Sequence, residues 1–569
     1  MKFNLYNSVD DQENLKKIAD DIESKINQNS AKEVDKVTKD LIREAIKKVK
    51  PDKSDPVFDY SSDCLKNAPE ILLEHIITII RCFLIHSHIS TVLLLSTLVP
   101  IIKDKLGNLC ISKNYRSIAI SSLVLKIVDW VLILLYGENL ELDDLQFAYQ
   151  VECSTNMCTW LVVETIDYFL RNGGEVFACS MDMTKAFDLV VHSKLLEKLL
   201  KVGMPPIMVR LLLVMYLTQF ANVRWNGTFS EIFSLKNGTK QGAVLSAILY
   251  CVYVNGLFQE LRKNKTGCWV EDTFLGLLGY SDDNFVLAPS RGALQEMVVT
   301  CEQYATAHGL QFSTDPDPRK SKTRCLSFLQ KEREILPVKL CDNDLPWVSN
   351  CKHLGNMIVS SSAADGGDIR SLDVKTKRAR FIQRNNEIIQ EFHFSHPMTL
   401  TELNKVYNSH FYGSCLWDLN SDWVLKFENT WNIALRTMLR LPRETHCYLL
   451  EPVSGQFHMR SLIASRFLSF ITSIRNSKKE SLRNLLRTIE YDTRSVTGRN
   501  LRKLLLQSDK HDIQSLLPQD GINEFREIPV GEEYRIEFIW NLIELRESLS
   551  STDLSLNEIE NDLSFLCIT

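Results

Sequence analysis

The chain has 569 residues, of which 45% are apolar and 24% charged. That length allows roughly three or four domains, and the composition excludes a disordered or fibrous chain in favour of an ordinary globular one. The net charge of −5 excludes a uniformly basic nucleic-acid coat but leaves room for a local binding groove.

Residues 11–50 read as helix, because Leu15, Ile18, Ile22 and Ile26 recur at helical spacing and Val34, Val37, Leu41 and Val49 continue the pattern. Ala68 to Phe83 is a second helical stretch. Cys82 to Ile102 carries no Asp, Glu, Lys or Arg and has the length of a bilayer span. It also holds His86, His88, several Ser and Thr, and Pro100, so a buried soluble segment is expected and no membrane. Leu98 to Lys103 reads as a strand ending in a cation. Val176 to Asp182 is an apolar run that ends in an acid, followed by a helical pattern at Leu195, Leu196, Leu199 and Leu200. Asn226-Gly227 between alternating apolar residues predicts a hairpin. Gln241-Gly242 then opens a helix over Leu245 to Leu261. Leu278 to Leu287 reads as two short strands with Asp282-Asp283 at their turn. A helix over Leu294 to His308, a small hairpin within 336–362 and a mostly helical stretch over 365–475 follow. Ile369 to Arg384 sets six basic residues (Arg370, Lys375, Lys377, Arg378, Arg380, Arg384) against Asp373. Such a helix either tracks duplex phosphates or presents a solvated face. The last twenty residues are acidic with spaced Leu and Ile, a peripheral helix by pattern.

The fifteen cysteines include no Cys-x-x-Cys and no zinc-knuckle set. Free thiols in a reducing compartment are therefore expected, and an intracellular, nuclear or cytoplasmic, unsecreted protein. The Asn-x-Thr triplets at Asn226, Asn237 and Asn264 are then chance matches.

The pairs Asp10-Asp11, Asp20-Asp21 and Asp143-Asp144 lie in polar or helical text and read as solvated acids. Asp282-Asp283 differs, because apolar runs flank it. Two carboxylates side by side repel, and a divalent cation such as Mg²⁺ relieves the repulsion. Asp182, at the end of a buried run, is costly unless a cation or hydrogen bonds satisfy it. If the two elements are neighbours in one sheet, three carboxylates converge. They could hold two Mg²⁺ about 4 Å apart, as in-line phosphoryl transfer requires.

Asp182-Met-Thr-Lys-Ala-Phe-Asp188, Lys240-Gln241-Gly242-Ala-Val-Leu-Ser246 and Tyr280-Ser-Asp-Asp283 occur in the order and spacing of reverse transcriptases. Asn114-Tyr-Arg-Ser-Ile118 upstream and Arg319-Lys-Ser-Lys-Thr323 downstream agree. Between about Ala45 and Pro452 the chain resembles the polymerase region of non-LTR (LINE-type) retrotransposons. The resemblance implies an α+β right-hand polymerase with fingers, a palm built on an antiparallel sheet and a helical thumb. The matching bounds are an N-terminal helical linker (1–49), fingers (50–175), palm (176–335), a primer-grip-like hairpin (336–364), thumb (365–479) and a C-terminal extension without assigned function (480–569).

It further implies that Asp182, Asp282 and Asp283 are catalytic and bind two Mg²⁺, with Mn²⁺ as a substitute. Lys103, Arg116, Ala186, Phe187, Gln241 and Gly242 would contact the nucleotide, with Phe187 under the sugar as a barrier to a 2′-hydroxyl. Lys322, favoured over Lys320, is a general acid or else part of a solvated basic loop. Arg370, Lys375, Lys377, Arg378 and Arg380 would bind template and primer. The implied partners are an RNA template, a DNA primer or target and dNTPs, with an endonuclease supplied in trans.

The chain departs from the family pattern at Ser54-Asp55-Pro56-Val57, in place of a Pro-Asp-Gly loop. It departs again at Arg116-Ser117-Ile118, which lacks a proline, and at Phe147-Ala148, in place of Phe-Arg. These departures raise the alternative of an impaired remnant that binds nucleic acid without polymerising.

Overall fold

A computed structural model describes residues 9–26, 29–105, 107–240, 242–317, 320–391, 410–439, 441–450, 458–508, 510 and 512–516. The predicted N-terminal helix is three: α1 (Val9–Lys25), α2 (Asn29–Asp35) and α3 (Lys39–Lys48). Thr38 caps α3, its hydroxyl accepting from the Leu41 N–H. These helices are not a free linker. Leu15 and Ile22 are buried in the main core, and α1 lies against α9 (His192–Lys201) and α10 (Pro206–Leu217) of the palm. The apolar stripe read as helix periodicity is therefore a packing face, which a free linker would not need.

The charge-free stretch 82–102 is divided among the end of α5 (Glu70–His86), the short α6 (Thr91–Leu94) and β1 (Leu95–Ile102). No single element there spans a bilayer. In chain order the short α4 (Ser62–Lys66) lies between α3 and α5. β1 pairs antiparallel with β2 (Tyr115–Ile120) and parallel with β4 (Phe220–Trp225). β4 turns at Asn226-Gly227, both at positive φ, into β5 (Thr228–Phe229), and also pairs with β6 (Phe233–Ser234). The hairpin is where the sequence places it, but it extends the fingers sheet, not the palm sheet. Its parallel pairing with β1 ties residues 220–223, within the palm range, to the fingers sheet.

The fingers are joined to the rest by α7 (Leu123–Tyr136), which packs on α3 and on α11 (Val244–Lys263). Among the described residues α11 is the one helix long and apolar enough to cross a membrane; most of it is buried. It lies against α7, α9 and α12 (Arg291–Ala307).

The palm sheet has the order β11-β3-β10-β9, from β3 (Val176–Asp182), β9 (Leu277–Tyr280), β10 (Asp283–Ala288) and β11 (Arg324–Phe328). All its pairings are antiparallel. Val176, Ala178, Cys179, Phe285, Val286 and Leu287 are fully buried, because α8 (Thr155–Arg171) and α12 both pack against the sheet. That explains why β3 reads as a continuous apolar run and not an alternating one. Each such large apolar side chain stabilises the fold by about 1.5–3 kcal/mol.

The predicted single hairpin after the palm is two: β12 (Val338–Leu340) with β13 (Asn343–Leu345), and β14 (Asn350–His353) with β15 (Asn356–Val359). A smaller ladder, β7 (Trp269–Val270) with β8 (Thr273–Phe274), lies before the palm hairpin.

The thumb is α13 (Ser371–Glu391), α14 (Asp422–Leu439) and α15 (Met459–Arg475). Phe381, Phe411, Trp417, Phe427 and Trp431 form its aromatic core. The extension beyond 479 is not separate from this body. Its α16 (Glu480–Ile489) packs on α8, α15 and β8, and α17 (Val496–Leu506) follows it. The predicted peripheral helix at the C-terminus lies outside the described residues.

Candidate active site

Antiparallel pairing of β3 with β10 sets Asp182 directly opposite Asp283, and the Ser281-Asp282 turn places the third carboxylate beside them. The Asp182 N–H donates to the buried Thr323 hydroxyl (3.3 Å), and its carbonyl accepts from the Ser313 N–H (2.8 Å). Loop 311–323 therefore fixes the strand end. Burial, then the charges of Asp282 and Asp182, push the Asp283 carboxyl up to about 6. Burial is also the largest reason that Asp282 is raised, and Asp182 adds to it. The three acids thus share one electrostatic field.

Among the described residues, no three carboxylates, histidines or cysteines are already drawn to metal-ligand distances. The donor set still fits Mg²⁺, because it consists of hard oxygen ligands whose mutual repulsion a divalent cation offsets.

Cations ring this cluster. The Lys322 ammonium is 3.5 Å from an Asp182 carboxylate oxygen. Lys320 is instead 3.7 Å from Asp317, which supports Lys322 as the one facing the acids. Lys103 and Arg116 stand at the adjoining ends of β1 and β2, where the Lys103 N–H bonds the Asn114 carbonyl at 2.8 Å. Partial burial, Lys322 and Arg116 all pull the Lys103 pKa down, while Asp188 and Asp182 pull it up. Arg116 in turn lowers the pKa values of both Asp282 and Asp283.

Ala186 is buried and Phe187 half-buried, in a turn ahead of α9 and not at a helix start. The Phe187 ring lies tilted on Tyr250, with centroids 4.9 Å apart. Its carbonyl accepts from the Thr239 N–H (2.8 Å), and a Cβ at Gly238 would come within 2.8 Å of that carbonyl. Gly238, at φ +84°, thus permits the contact that holds Phe187. Gly242, at φ +115°, approaches backbone: a Cβ there would meet the Ala119 carbonyl at 2.9 Å. It seats the loop on β2, three residues from Arg116. Gln241 lies outside the described residues.

The thumb-base cations require a correction. Arg370 is buried and bonds Asp167 (2.6 Å) and Glu164 (3.0 Å) of α8. Lys377 is buried on Asp373 (2.6 Å), and Lys375 pairs with Asp365. Arg378 donates to the Thr430 hydroxyl (2.7 Å) and the Lys426 carbonyl (3.2 Å). These side chains join the thumb to itself and to the palm; Arg370 and Lys377 cannot reach a duplex phosphate. Distant acids for Arg370, near ones for Lys375 and Lys377, and a hydroxyl and a carbonyl for Arg378 take up the charge that read as a phosphate track. Arg380 is exposed.

The primer-grip-like segment is anchored near the site. Buried His353 bonds the Thr159 hydroxyl (3.0 Å), and its ring meets Phe285 of β10. Leu354-Gly355, both at positive φ, form the β14–β15 turn, and the Leu354 carbonyl accepts from the Tyr412 hydroxyl (2.8 Å). Trp347 packs edge-on against Phe177.

Other contributors gave no chemical signal in the sequence. The Asp55 carboxylate accepts from the Val57 and Phe58 N–H groups and, at 2.7 Å, from Leu123 N–H at the start of α7. The altered fingers loop is therefore an intact capping turn. Lys240, buried, donates to the Leu94 carbonyl (3.3 Å); burial pulls it down to about 8 and pushes nearby Asp129 up to about 7. Gln146 is fully buried against the carboxylate hairpin. Only the Asp55-Pro56 and Lys240-Gln241-Gly242 neighbourhoods offered any cue to these.

Residues 102–357 match the family described as reverse transcriptase (RNA-dependent DNA polymerase). The transposon TX1 uncharacterized 149 kDa protein of Xenopus laevis is 29% identical over 256 residues, 44% of this chain and 19% of that protein. The Pol polyprotein from the type-1 retrotransposable element R2 of Nasonia vitripennis is 26% identical over 221 residues, 39% of this chain and 21% of that protein. The chain thus spans about a fifth of the length of these relatives. A solved telomerase from Candida albicans, in complex with a TWJ fragment of telomeric RNA, aligns at 12% identity and a TM-score of 0.34. That alignment covers 75% of this chain and 64% of the telomerase chain. With the ordered motifs and the paired carboxylates, these matches identify residues 102–357 as a reverse transcriptase domain similar in sequence to the TX1 and R2 retrotransposon proteins.

Proposed function

We propose that this chain extends a primer 3′-hydroxyl with dNTPs on an RNA template. The observation that carries the proposal is the register of Asp182 against Asp283, with Asp282 in the intervening turn and Lys103, Arg116 and Lys322 around them. Two Mg²⁺, or Mn²⁺ in their place, would activate the 3′-hydroxyl and offset charge on the transferred phosphoryl group. Asp182, Asp282 and Asp283 are the residues to hold them.

Lys103 and Arg116 neutralise the incoming triphosphate and preorganise positive charge where negative charge develops. Lys322 is placed to deliver a proton to the departing pyrophosphate. The Phe187 ring, backed by Tyr250 and fixed through its carbonyl, cannot retreat from a 2′-hydroxyl, which favours deoxynucleotides. Arg380 remains for duplex contact. An endonuclease acting in trans and an intracellular site of action belong to the same proposal.

The test is extension of oligo(dT) on poly(rA) and on poly(dA), with dTTP or UTP. Extension on poly(rA) with strong preference for dTTP supports the reading. Folded protein that binds the duplex in low salt but never extends it overturns the reading in favour of a binding-only remnant. Efficient UTP incorporation would overturn the sugar assignment.

A further inference from the structure

We propose that Gln146 is a positioning residue for the paired carboxylates, holding the Asp282 turn through Ser281 while Lys479 holds Gln146 from behind. The inference rests on the reading of Asp182, Asp282 and Asp283 as a cation site. Gln146 belongs to none of the sequence motifs that carry the resemblance, and Lys479 lies outside the family match at 102–357.

The Asp282 turn needs external support. Ser281 sits at φ +62°, a left-handed conformation that costs a non-glycine residue about 1–2 kcal/mol. Such a residue persists only where its surroundings over-determine it. The support comes from a strap over residues 143–150 running beside β9. The Gly279 N–H donates to the Leu145 carbonyl (3.0 Å), and the Phe147 N–H donates to the Gly279 carbonyl (2.9 Å). Between those two bonds, the Gln146 side chain reaches past Gly279, and its amide oxygen accepts from the Ser281 N–H (2.9 Å) and the Ala148 N–H (3.1 Å). Gly279 makes the passage possible. A Cβ there would lie 3.3 Å from the Gln146 amide nitrogen and 2.6 Å from the Phe258 ring.

The strap is fixed on its other side by the C-terminal body. The Lys479 ammonium donates to the Gln146 carbonyl (2.8 Å) and the Asp143 carbonyl (3.0 Å), and lies over the Phe147 ring. The Asp144 carboxylate accepts from the first N–H groups of α16, at Glu480 (2.8 Å) and Ser481 (2.7 Å). Asp143 accepts both Arg262 nitrogens at the end of α11 (2.8 and 2.9 Å). A run of hydrogen bonds, buried around Gln146 and more open at Asp144, therefore joins residues 479–481 to the hairpin that carries two of the three acids. Residues that orient a metal ligand without touching the metal change affinity by about 10–100-fold when removed.

The test uses the full chain and Mn²⁺ as the probe, read by electron paramagnetic resonance. Gln146→Met keeps the shape and removes the acceptor. We expect unchanged duplex binding and a Mn²⁺ affinity weaker by about tenfold or more. Gln146→Glu, which keeps an accepting oxygen, should restore most of it, a pattern that a general packing defect would not give. Lys479→Met should weaken Mn²⁺ binding by a smaller factor. Folded Gln146→Met protein with wild-type Mn²⁺ affinity overturns the proposal. If Gln146→Met does not fold, Lys479→Met with unchanged affinity overturns it instead. Wild-type protein that binds no Mn²⁺ defeats the cation-site reading itself, an outcome distinct from both.

Discussion

Two groups of basic residues look alike in the sequence and have opposite fates in the fold. Lys103, Arg116 and Lys322 come from separate segments and gather around the palm carboxylates. Arg370, Lys375, Lys377 and Arg378 come from one dense run, and ion pairs or hydrogen bonds take up each of them. Density of charge along a chain is therefore a poor guide to where charge is available. What decides is which partners the fold brings to each side chain: Glu164 and Asp167, some two hundred residues away, for Arg370, and thumb residues for Lys375, Lys377 and Arg378.

The largest effects should come from the palm side of this comparison. Asp182→Asn is expected to lower the extension rate by several orders of magnitude, measured in single-turnover primer extension, with little change in thermal midpoint. On the thumb side, Arg370→Leu should cost about 3–5 kcal/mol in denaturant unfolding, because it leaves the buried Glu164 and the partly buried Asp167 without their cation. A stable Arg370→Leu protein with weakened duplex binding would reverse the assignment.

Arg116→Gln should raise the KM for dTTP about tenfold with the fold intact, which steady-state kinetics and a melting curve check together. Divalent cation and pH should also be linked. The raised Asp283 pKa means that the metal-free protein loses stability as pH rises toward and through about 6, where the carboxyl ionises against its neighbours. Added Mg²⁺ should therefore raise the thermal midpoint more at pH 7.5 than at pH 5. The smallest effect is reserved for Arg380→Gln: slightly weaker duplex binding, with the salt slope reduced by about 1.

The three clustered acids were legible because an apolar run that ends in Asp, or breaks for Asp-Asp, conflicts with burial unless something compensates. The helices over Glu70–His86, Val244–Lys263 and Arg291–Ala307 were legible from periodicity and length. The partners that hold them were not. Gln146, Thr323 and Asp55 act through single hydrogen bonds to backbone groups far away in sequence, and such bonds leave no pattern in composition or spacing. The hairpin at Asn226-Gly227 was legible, but its pairing with β1 was not, because a hairpin signal specifies its own turn and not its neighbour. Residues 480–506 were set apart because the resemblance fades there, yet Thr497 bonds both Glu164 (3.0 Å) and Trp160 (3.1 Å) of α8.

The central claim is that Asp182, Asp282 and Asp283 form one cation-dependent catalytic centre. Its most direct test is the rate of Mg²⁺-dependent extension on poly(rA)–oligo(dT) by wild type beside Asp282→Ala/Asp283→Ala. Extension by the wild type alone, with both proteins binding the duplex equally, is the expected result. Equal rates for the two proteins would contradict the claim.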